Sequence, residues 1–320
     1  MSETTPIAEF RSGEIEEDLA PEPEPMKISP LTGLEVTPGL ESRPVTGLMI
    51  ENSPEARPQS GLLEAGIVYE GLSEGGVTRF LALYQEATPD FIGPIRSARP
   101  AYVRWVSAYD ASYGHVGGSN AALDLIPSLV SRDIDEFFNG SYYTRISERS
   151  SPHNVYTGFD RLDELNEARG YASSDYEGWQ RKAEDPSSNP TATTISPTIS
   201  NLANYNPTFV YNSQSNSYDR SIQGVPQTDL RSGNQISPKV VVAMQIPGSN
   251  FSASDGTPRH DYDNVGSGRA WIFQDGNVVQ ATWSKSSASA PLRLLDSADE
   301  PLSLNAGQTW LTAVSGVTWQ

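Results

Sequence analysis

Short apolar runs and helical patterns alternate along the first half of the chain. Runs bordered by glycine, proline or other turn formers predict strands at Pro44–Glu51, Ala65–Gly71, Thr78–Gln85 and Ala111–Val116. Apolar residues at helical spacing predict helices within Ser97–Ala108 after Pro100, at Asn120–Val130 and at Phe159–Arg169. Asp160 is the expected cap of the last helix. Strands that alternate with helices predict a layered domain of mixed sheet and helices over residues 30–185.

From Thr208 onward the pattern is that of short strands separated by Gly, Asn and Asp turns. These strands are predicted at Thr208–Tyr211, Ser217–Ile222, Lys239–Gln245, Arg269–Gln274, Val278–Trp283, Leu292–Leu295 and Thr309–Ser315. A Ser-, Thr- and Pro-rich linker over residues 186–207, with room for one strand at Thr193–Ser200, precedes them. The sequence therefore predicts an α+β protein, with a layered N-terminal domain followed by a smaller β-rich C-terminal domain over residues 208–320.

Residues 1–29 show no apolar periodicity and are rich in acidic residues and proline. Such a segment buries too little apolar surface to fold, so its composition predicts a disordered spacer. Two explanations stay open. The spacer is a plain disordered tail, or it follows a membrane anchor that lies upstream of this chain.

The composition limits the classes of function. The chain has 320 residues, 37% of them hydrophobic, and a formal net charge of −18. No basic cluster is visible, so nucleic acid and anionic lipid surfaces are not expected as partners. The absence of cysteine excludes disulfides, zinc–thiolate sites and cysteine nucleophiles. No cofactor is predicted, and no metal site either, because HxH and HExxH spacings do not occur.

Rare residues concentrate between Glu74 and Tyr156. They form the motifs EGGVTRF (Glu74–Phe80), GPIRSARP (Gly93–Pro100), YGHVGGSN (Tyr113–Asn120) and SPHNVYT (Ser151–Thr157). Two of the chain's three histidines fall in this stretch. Arginines, histidines and Gly-Gly turns in one short span are more typical of a site than of a surface, so we expect the motifs to converge on one cleft.

Arg96 and Arg99 are central to that expectation. Two planar guanidinium groups on either side of Ser97 are suited to clamp a carboxylate or a phosphate. The alternative interpretation is that one arginine pairs with Asp110 or Glu74 and ties down its own loop.

The neighbouring motifs are open to the same two interpretations, a ligand-binding site or contacts that only stabilise the local loops. Glu74 and Arg79 bracket a Gly-Gly turn, where they either close the hairpin as an ion pair or share a pocket with the two arginines. Gly117 and Gly118, before Ser119, either offer backbone N–H groups to an anion or form a tight turn from strand to helix.

The histidines are the candidates for acid–base chemistry, because an imidazole titrates near neutrality. His153 lies in a polar loop beside Asn154. His115 lies in an apolar strand, where a hydrogen-bonded structural histidine is more common. Ser119, His153 and Asp110 would form a nucleophile set, although no GxSxG motif is present. The predicted ligand-binding residues are Glu74, Arg79, Arg96, Arg99, His115, Gly117, Gly118, Ser119, His153 and Asn154, with His153 and His115 as catalytic candidates.

Trp271, Trp283 and Trp310 recur along the predicted C-terminal strands. Exposed indole rings would stack on sugar rings, whereas buried ones would fill the core. We favour the core, because aromatic side chains commonly fill small sheets.

In this order, the motifs resemble the YerB-like lipoprotein family of bacteria, which is classed as a domain of unknown function. The resemblance is carried by RPVTGLMIEN, ARPQSGLLEAGIVYEGLSEGGVTRFLALYQ, IGPIRSARPAY, YDASYGHVGGS, PHNVYT, PKVVVAMQ, GSGRAWIFQDGNVVQATW and LNAGQTWL, within residues 30–175 and 205–316. It implies a mixed N-terminal domain and a β-rich C-terminal domain. It also implies an extracytoplasmic protein anchored to the membrane. The lipid-bearing cysteine and hydrophobic leader of the family are not among these residues, so the anchor is expected upstream.

These observations lead to one expectation and two alternatives. We expect a non-catalytic, extracytoplasmic protein of the bacterial envelope. Its Arg-, His- and Gly-rich cleft would bind an anionic small molecule, a peptide, a glycan or another cell-envelope component. The first alternative is a hydrolytic enzyme that acts on a cell-envelope substrate through His153 or His115. The second is a purely structural module that binds a protein partner, with the polar motifs serving as loop ties.

Overall fold

The computed structural model describes residues 1–4, 24–253 and 256–320. Most of the predicted spacer, residues 1–29, therefore lies outside the described residues. At the end of that segment, Lys27–Ile28 forms a short strand that pairs with Glu35–Val36. Ser29 is buried and donates a hydrogen bond to the Glu86 carboxylate at 2.9 Å. Packed structure thus begins a few residues before the predicted domain boundary at residue 30.

The described residues form three α-helices and 22 strands, with five one-turn 3-10 helices. The helices are α1 (Pro100–Val106), α2 (Asn120–Leu129) and α3 (Phe159–Ala168). The strands are β1 (Lys27–Ile28), β2 (Glu35–Val36), β3 (Thr46–Glu51), β4 (Ile67–Glu74), β5 (Val77–Tyr84), β6 (Ser112–Gly114), β7 (Thr144–Arg145), β8 (Val155–Tyr156), β9 (Arg181–Lys182), β10 (Thr194–Thr198), β11 (Pro207–Asn212), β12 (Ser217–Ile222), β13 (Val225–Pro226), β14 (Val240–Gln245), β15 (Gly248–Ser252), β16 (Pro258–Tyr262), β17 (Gly266–Gln274), β18 (Asn277–Lys285), β19 (Arg293–Leu295), β20 (Leu304–Asn305), β21 (Thr309–Val314) and β22 (Gly316–Trp319). Among the described residues, no helix has the length and apolar content to cross a membrane.

The largest sheet has eleven strands and takes them from both halves of the chain. Its order is β19-β18-β17-β14-β21-β4-β5-β3-β6, and the β15–β16 hairpin joins it beside β4. Strand β21 pairs in parallel with both β14 and β4, so a C-terminal strand lies in the middle of the sheet. The predicted linker, residues 186–207, thus separates two sequence regions whose strands share one sheet. It contains β10, at the strand position expected within it.

Both faces of this sheet are covered, because successive side chains of a strand point to opposite sides. Tyr69 of β4 faces α1, where its ring stacks on Trp105 with the centroids 5.1 Å apart. Val68 belongs to the opposite core, together with Phe159 of α3 and Phe209 of β11. Strands β13-β12-β11-β10-β22 form a second sheet, whose buried side chains line that second core. The architecture is therefore layered, with helices on one face and a smaller sheet and α3 on the other.

A buried ion pair joins the two sheets. Glu70 of β4 and Arg220 of β12 are both 0% exposed, and Arg220 Nη2 lies 2.8 Å from each carboxylate oxygen. The Trp310 indole N–H donates to the same carboxylate at 3.0 Å, and the Arg220 guanidinium lies 4.7 Å from the centroid of the Trp310 ring. Arg220 Nε and Nη1 are buried without a hydrogen-bond partner among the described residues, so the Glu70 carboxylate and the facing indole ring are what compensate the charge between the two apolar layers.

The predicted α+β class is confirmed, with a mixed N-terminal region and a β-rich C-terminal region. Individual strands also agree with the prediction, since β12 spans Ser217–Ile222 as expected and β5 is displaced by one residue. The expected cap at Asp160 is wrong: α3 is preceded by Gly158, and no side chain caps it. Strand β15 was not predicted because its residues are exposed throughout and show no alternation.

Candidate functional site

The predicted site residues gather at one end of the eleven-stranded sheet, close to the start of α1. Glu51 ends β3 and lies opposite Arg79 of β5 in the antiparallel register. A β-bulge between Leu72 and Glu74 inserts an extra residue into β4. Bulges re-aim the side chains that follow them, and here Glu74 contacts Arg79.

Glu74 organises the first group of charges. It forms ion pairs with Arg79 and Arg99, and the Arg99 Nε and Nη2 atoms lie 2.8 and 2.6 Å from Glu74 Oε2. Burial raises the pKa of Glu74, but Arg79 and Arg99 outweigh it and lower the pKa to about 2. Burial, followed by the charge of Arg99, lowers the pKa of Arg79 to about 10, so the guanidinium remains charged at neutral pH. Arg99 therefore forms the ion pair with Glu74 that the alternative interpretation expected, in which an arginine ties down its own loop.

Glu51 holds the second group, which contains Arg96 and His153. His153 Nδ1 lies 2.9 Å from Glu51 Oε2, and Arg96 Nε lies 3.2 Å from Glu51 Oε1. The Ser53 hydroxyl donates to Oε1 at 2.9 Å. The His153 side chain is 22% exposed and its Nδ1 is engaged, so Nε2 is the ring nitrogen available to a ligand.

His115 and Gly117 form a third group that is closed by aspartates. His115 is fully buried, with Nδ1 2.8 Å from the Gly117 carbonyl oxygen and Nε2 3.0 Å from Asp133 Oδ1. Gly117 has a φ angle of 53°, and its N–H donates to Asp135 Oδ1 at 2.9 Å. The Gly117 N–H, which was expected to bind an anion, therefore already donates its hydrogen bond to the carboxylate of Asp135. His115 has the bonded, buried environment of a structural histidine.

Ser119 and Asn154 also contribute to the local fold. Ser119 caps α2, where its hydroxyl accepts the Ala122 N–H at 3.3 Å. The Asn154 side-chain amide donates to the Ile146 carbonyl at 3.4 Å. Asn154 Oδ1 is buried without a hydrogen-bond partner among the described residues.

The nucleophile set expected from Ser119, His153 and Asp110 is not assembled. His153 is held by Glu51, as above, and Asp110 Oδ2 accepts a hydrogen bond from Arg132 at 2.8 Å. Within residues 24–253 and 256–320, no cluster of three or more His, Asp or Glu side chains is arranged to hold a metal ion.

An open cavity of about 420 Å³ lies beside the first group, between the start of α2 and the β15–β16 hairpin. This α2 cleft is lined by Gly118, Ser119, Asn120, Ala121, Phe251, Ser252, Ala253 and Arg259. Ala98, which precedes Arg99 in the chain, forms a β-bridge with Gly118 and accepts the Ser119 N–H at 3.3 Å. Arg259 lies opposite Glu74 in the pairing of β16 with β4.

The backbone of residues 95–98 makes the three groups neighbours. Arg96 donates its N–H to the Met49 carbonyl of β3, and its own carbonyl accepts the Val116 N–H. The Ala98 N–H donates to the Gly117 carbonyl at 2.9 Å. The motifs singled out in the sequence are therefore adjacent in space, but of the predicted ligand-binding residues only Gly118 and Ser119 line the α2 cleft. Their binding of a ligand stays a prediction.

Four charged residues of this region were missed in the sequence: Glu51, Asp133, Asp135 and Arg259. Glu51 was counted only as the end of a buried strand, although a lone acid at such a position signals a buried partner. The aspartates lie in a loop without a recognisable pattern. Arg259 belongs to β16, a strand that was not predicted.

Comparisons with known proteins agree with the ordered motifs. Residues 31–172 match "Protein of unknown function (DUF3048) N-terminal domain", and residues 198–311 match "Protein of unknown function (DUF3048) C-terminal domain". The chain is 30% identical over 311 residues to "Putative lipoprotein YerB" of Bacillus subtilis (strain 168), which covers 95% of this chain and 88% of that protein. The crystal structure of YerB protein from Bacillus subtilis superposes with a TM-score of 0.80 at 28% identity, over 91% of this chain and 99% of that one.

Proposed function

The chain belongs to the DUF3048 family, and from this premise we propose that it is a membrane-anchored, extracytoplasmic protein whose α2 cleft binds an anionic ligand. The proposed location is supported by the name of the relative, "Putative lipoprotein YerB", and by the acidic and proline-rich composition of residues 1–29, which suits a tether. The ligand class follows from the charges and amides around the cleft.

The cleft itself carries this proposal. At the start of α2, Asn120 and Ala121 lack the intrahelical partners that later amides have, so their N–H groups favour an anion. Arg259 lines the facing wall. Behind the cleft, Arg79 and Arg99 share the single carboxylate of Glu74, so these three side chains together carry one net positive charge.

This local excess opposes the charge of the whole chain. A net charge of −18 repels anions at long range, but that repulsion is screened beyond about 8 Å at physiological ionic strength. A compact carboxylate or phosphate group would therefore experience mainly the arginines and amides that it touches. We propose a small anion or the carboxylate of a peptide as the ligand.

The test is a thermal shift with inorganic phosphate and with succinate, each compared with chloride at equal ionic strength. A ligand at one hundred times its Kd stabilises the native state by about 2.7 kcal/mol, so a saturable rise in Tm is expected. The variant Arg259→Gln should abolish the saturable rise in Tm. The matched control Arg293→Gln, in an exposed ion pair with Glu177, should preserve it.

A wild-type Tm that follows ionic strength alone, with no saturation, would count against an anion site. Saturation that survives in Arg259→Gln would place the site elsewhere. Binding of a peptide but of neither small anion would identify the peptide as the ligand.

The geometry of His153 supports a second candidate, a hydrolytic enzyme. Glu51 engages Nδ1 of the ring at 2.9 Å, and such an orienting carboxylate is typical of a histidine general base. Hydrolysis of 4-nitrophenyl acetate, lost in His153→Gln and kept in His260→Gln, would support this function. Equal rates in all three proteins would refute it.

A further inference from the structure

Trp271 differs from the other two tryptophans of the C-terminal strands. Trp283 and Trp310 are 1% and 0% exposed, and their indole N–H groups donate to Gln245 and Glu70, each at 3.0 Å. Trp271 is half-buried and lines an open cavity of about 250 Å³. The core interpretation therefore holds in full for two of the three indoles, whereas Trp271 packs against the second core at its edge and keeps part of its ring exposed.

Polar side chains surround Trp271 on the same face of the sheet. In the pairing of β17 with β18, Trp271 lies opposite Gln280 and Arg269 lies opposite Thr282. Because directly opposed residues of antiparallel strands project to one side, these four side chains form a continuous surface. We call the surface formed by Arg269, Trp271, Gln280, Thr282 and Asp296 the Trp271 platform.

The platform has unused hydrogen-bonding capacity. The side chains of Arg269, Trp271, Gln280 and Thr282 form no hydrogen bond or ion pair with any described residue, and they border the cavity. Asp296 uses Oδ1 to accept two backbone N–H groups of its own turn. An indole face and an edge of free donors and acceptors thus lie side by side in one shallow groove.

We propose that the Trp271 platform binds a neutral carbohydrate chain, with one pyranose ring stacked on the indole. The C–H groups on one face of a pyranose match an aromatic ring, while its hydroxyl groups require donors and acceptors around the edge. Gln280 and Thr282 supply both, Arg269 supplies donors, and Asp296 supplies an acceptor. The single positive and single negative charge of the platform compensate each other, which suits a ligand without net charge.

The dimensions point to the same ligand. The cavity of about 250 Å³ is smaller than the roughly 300–1,000 Å³ of pockets that enclose drug-sized molecules, so it accommodates about one sugar ring. The groove is open, so a longer chain extends beyond it to either side. This site is separate from the α2 cleft and does not depend on the proposed anion binding.

The experiment is a titration of the full chain with chitotetraose, a chain of β-1,4-linked N-acetylglucosamine, and with cellotetraose, observed on the indole N–H signals in NMR spectra. The signal that disappears in Trp271→Phe identifies Trp271. We expect this signal to shift in a saturable way with at least one oligosaccharide. Trp271→Ala should weaken binding at least tenfold.

A second variant is needed because Trp271→Ala could weaken binding through a loss of packing. Gln280 is exposed, so Gln280→Ala should leave Tm unchanged and weaken binding severalfold. Arg259→Gln, in the α2 cleft, should bind the oligosaccharides as the wild type does. The proposal is overturned if neither oligosaccharide shifts the Trp271 signal, or if Gln280→Ala and Trp271→Ala both bind with wild-type affinity.

Discussion

Replacement of Glu70 by glutamine tests the ion pair that joins the two sheets. The carboxylate accepts hydrogen bonds from Arg220 and from the Trp310 indole, and both members of the ion pair are 0% exposed. Burial lowers the pKa of Arg220, while Glu70 opposes that shift. In Glu70→Gln the guanidinium stays between the sheets with its charge uncompensated.

The expected cost follows from this geometry. Removal of one partner from a buried ion pair destabilises a protein by about 3–5 kcal/mol. For a protein of this size, 1 kcal/mol lowers Tm by about 2 °C, so we expect a decrease of about 6–10 °C. The double variant Glu70→Leu/Arg220→Met removes both charges, and its free energy of unfolding should return to within about 2 kcal/mol of the wild type.

Urea unfolding, followed by tryptophan fluorescence and by far-ultraviolet circular dichroism, measures these differences. The two signals should change together, because strands of both halves share one sheet. An exposed ion pair is the control: Arg293→Gln, which breaks the contact with Glu177, should cost less than about 1 kcal/mol. A cost below about 1 kcal/mol for Glu70→Gln, or a double variant as unstable as the sum of the single ones, would refute the reasoning.

Three further predictions concern single residues. The pKa of Glu74 is about 2 in the folded state and near 4.5 in the unfolded state. Its ionised form therefore contributes about 3 kcal/mol to the free energy of unfolding above pH 4.5, and this contribution is lost between pH 4.5 and 2. The difference in stability between the wild type and Glu74→Gln should shrink over that interval. Burial, followed by the charge of Arg104, lowers the pKa of Lys285 to about 8. The charged Lys285 side chain therefore destabilises the folded state below pH 8, and this destabilisation decreases as the pH rises toward 10.5. Lys285→Met should be more stable than the wild type by about 1–2 kcal/mol at pH 7, and the difference should disappear by about pH 10. Gly117→Ala should lower the free energy of unfolding by at least about 1 kcal/mol, because the residue has a φ angle of 53° and the added Cβ would lie 2.6 Å from the Phe137 ring. Gly140→Ala, with open space around it, should be neutral in the same urea titration.

Local patterns in the chain were sufficient to place most of the elements that carry the candidate site. Alternating and helical spacings predicted β3, β5, α1 and α2, because those patterns depend on residues near one another in the chain. Asp275 and Gly276, the Asp-Gly pair between β17 and β18, have positive φ angles of 57° and 75°, because a two-residue hairpin turn is also determined by its local sequence. The clustering of Arg, His and Gly likewise located the region in which the charged groups meet.

Which groups those residues contact was decided by pairing across long sequence distances. Arg99 contacts Glu74 because a bulge in β4 re-aims that carboxylate, and Asp135 reaches the Gly117 amide from a loop without a recognisable pattern. Strand β21 enters the middle of the sheet some 240 residues after β4, and this pairing gives Glu70 its contact with Trp310. Spacing along a chain carries no record of such encounters, because they depend on how whole strands and layers pack. The sequence alone therefore identified the types of residue that form the candidate site, whereas the packing of the sheets determined how deeply those residues are buried and which groups they contact.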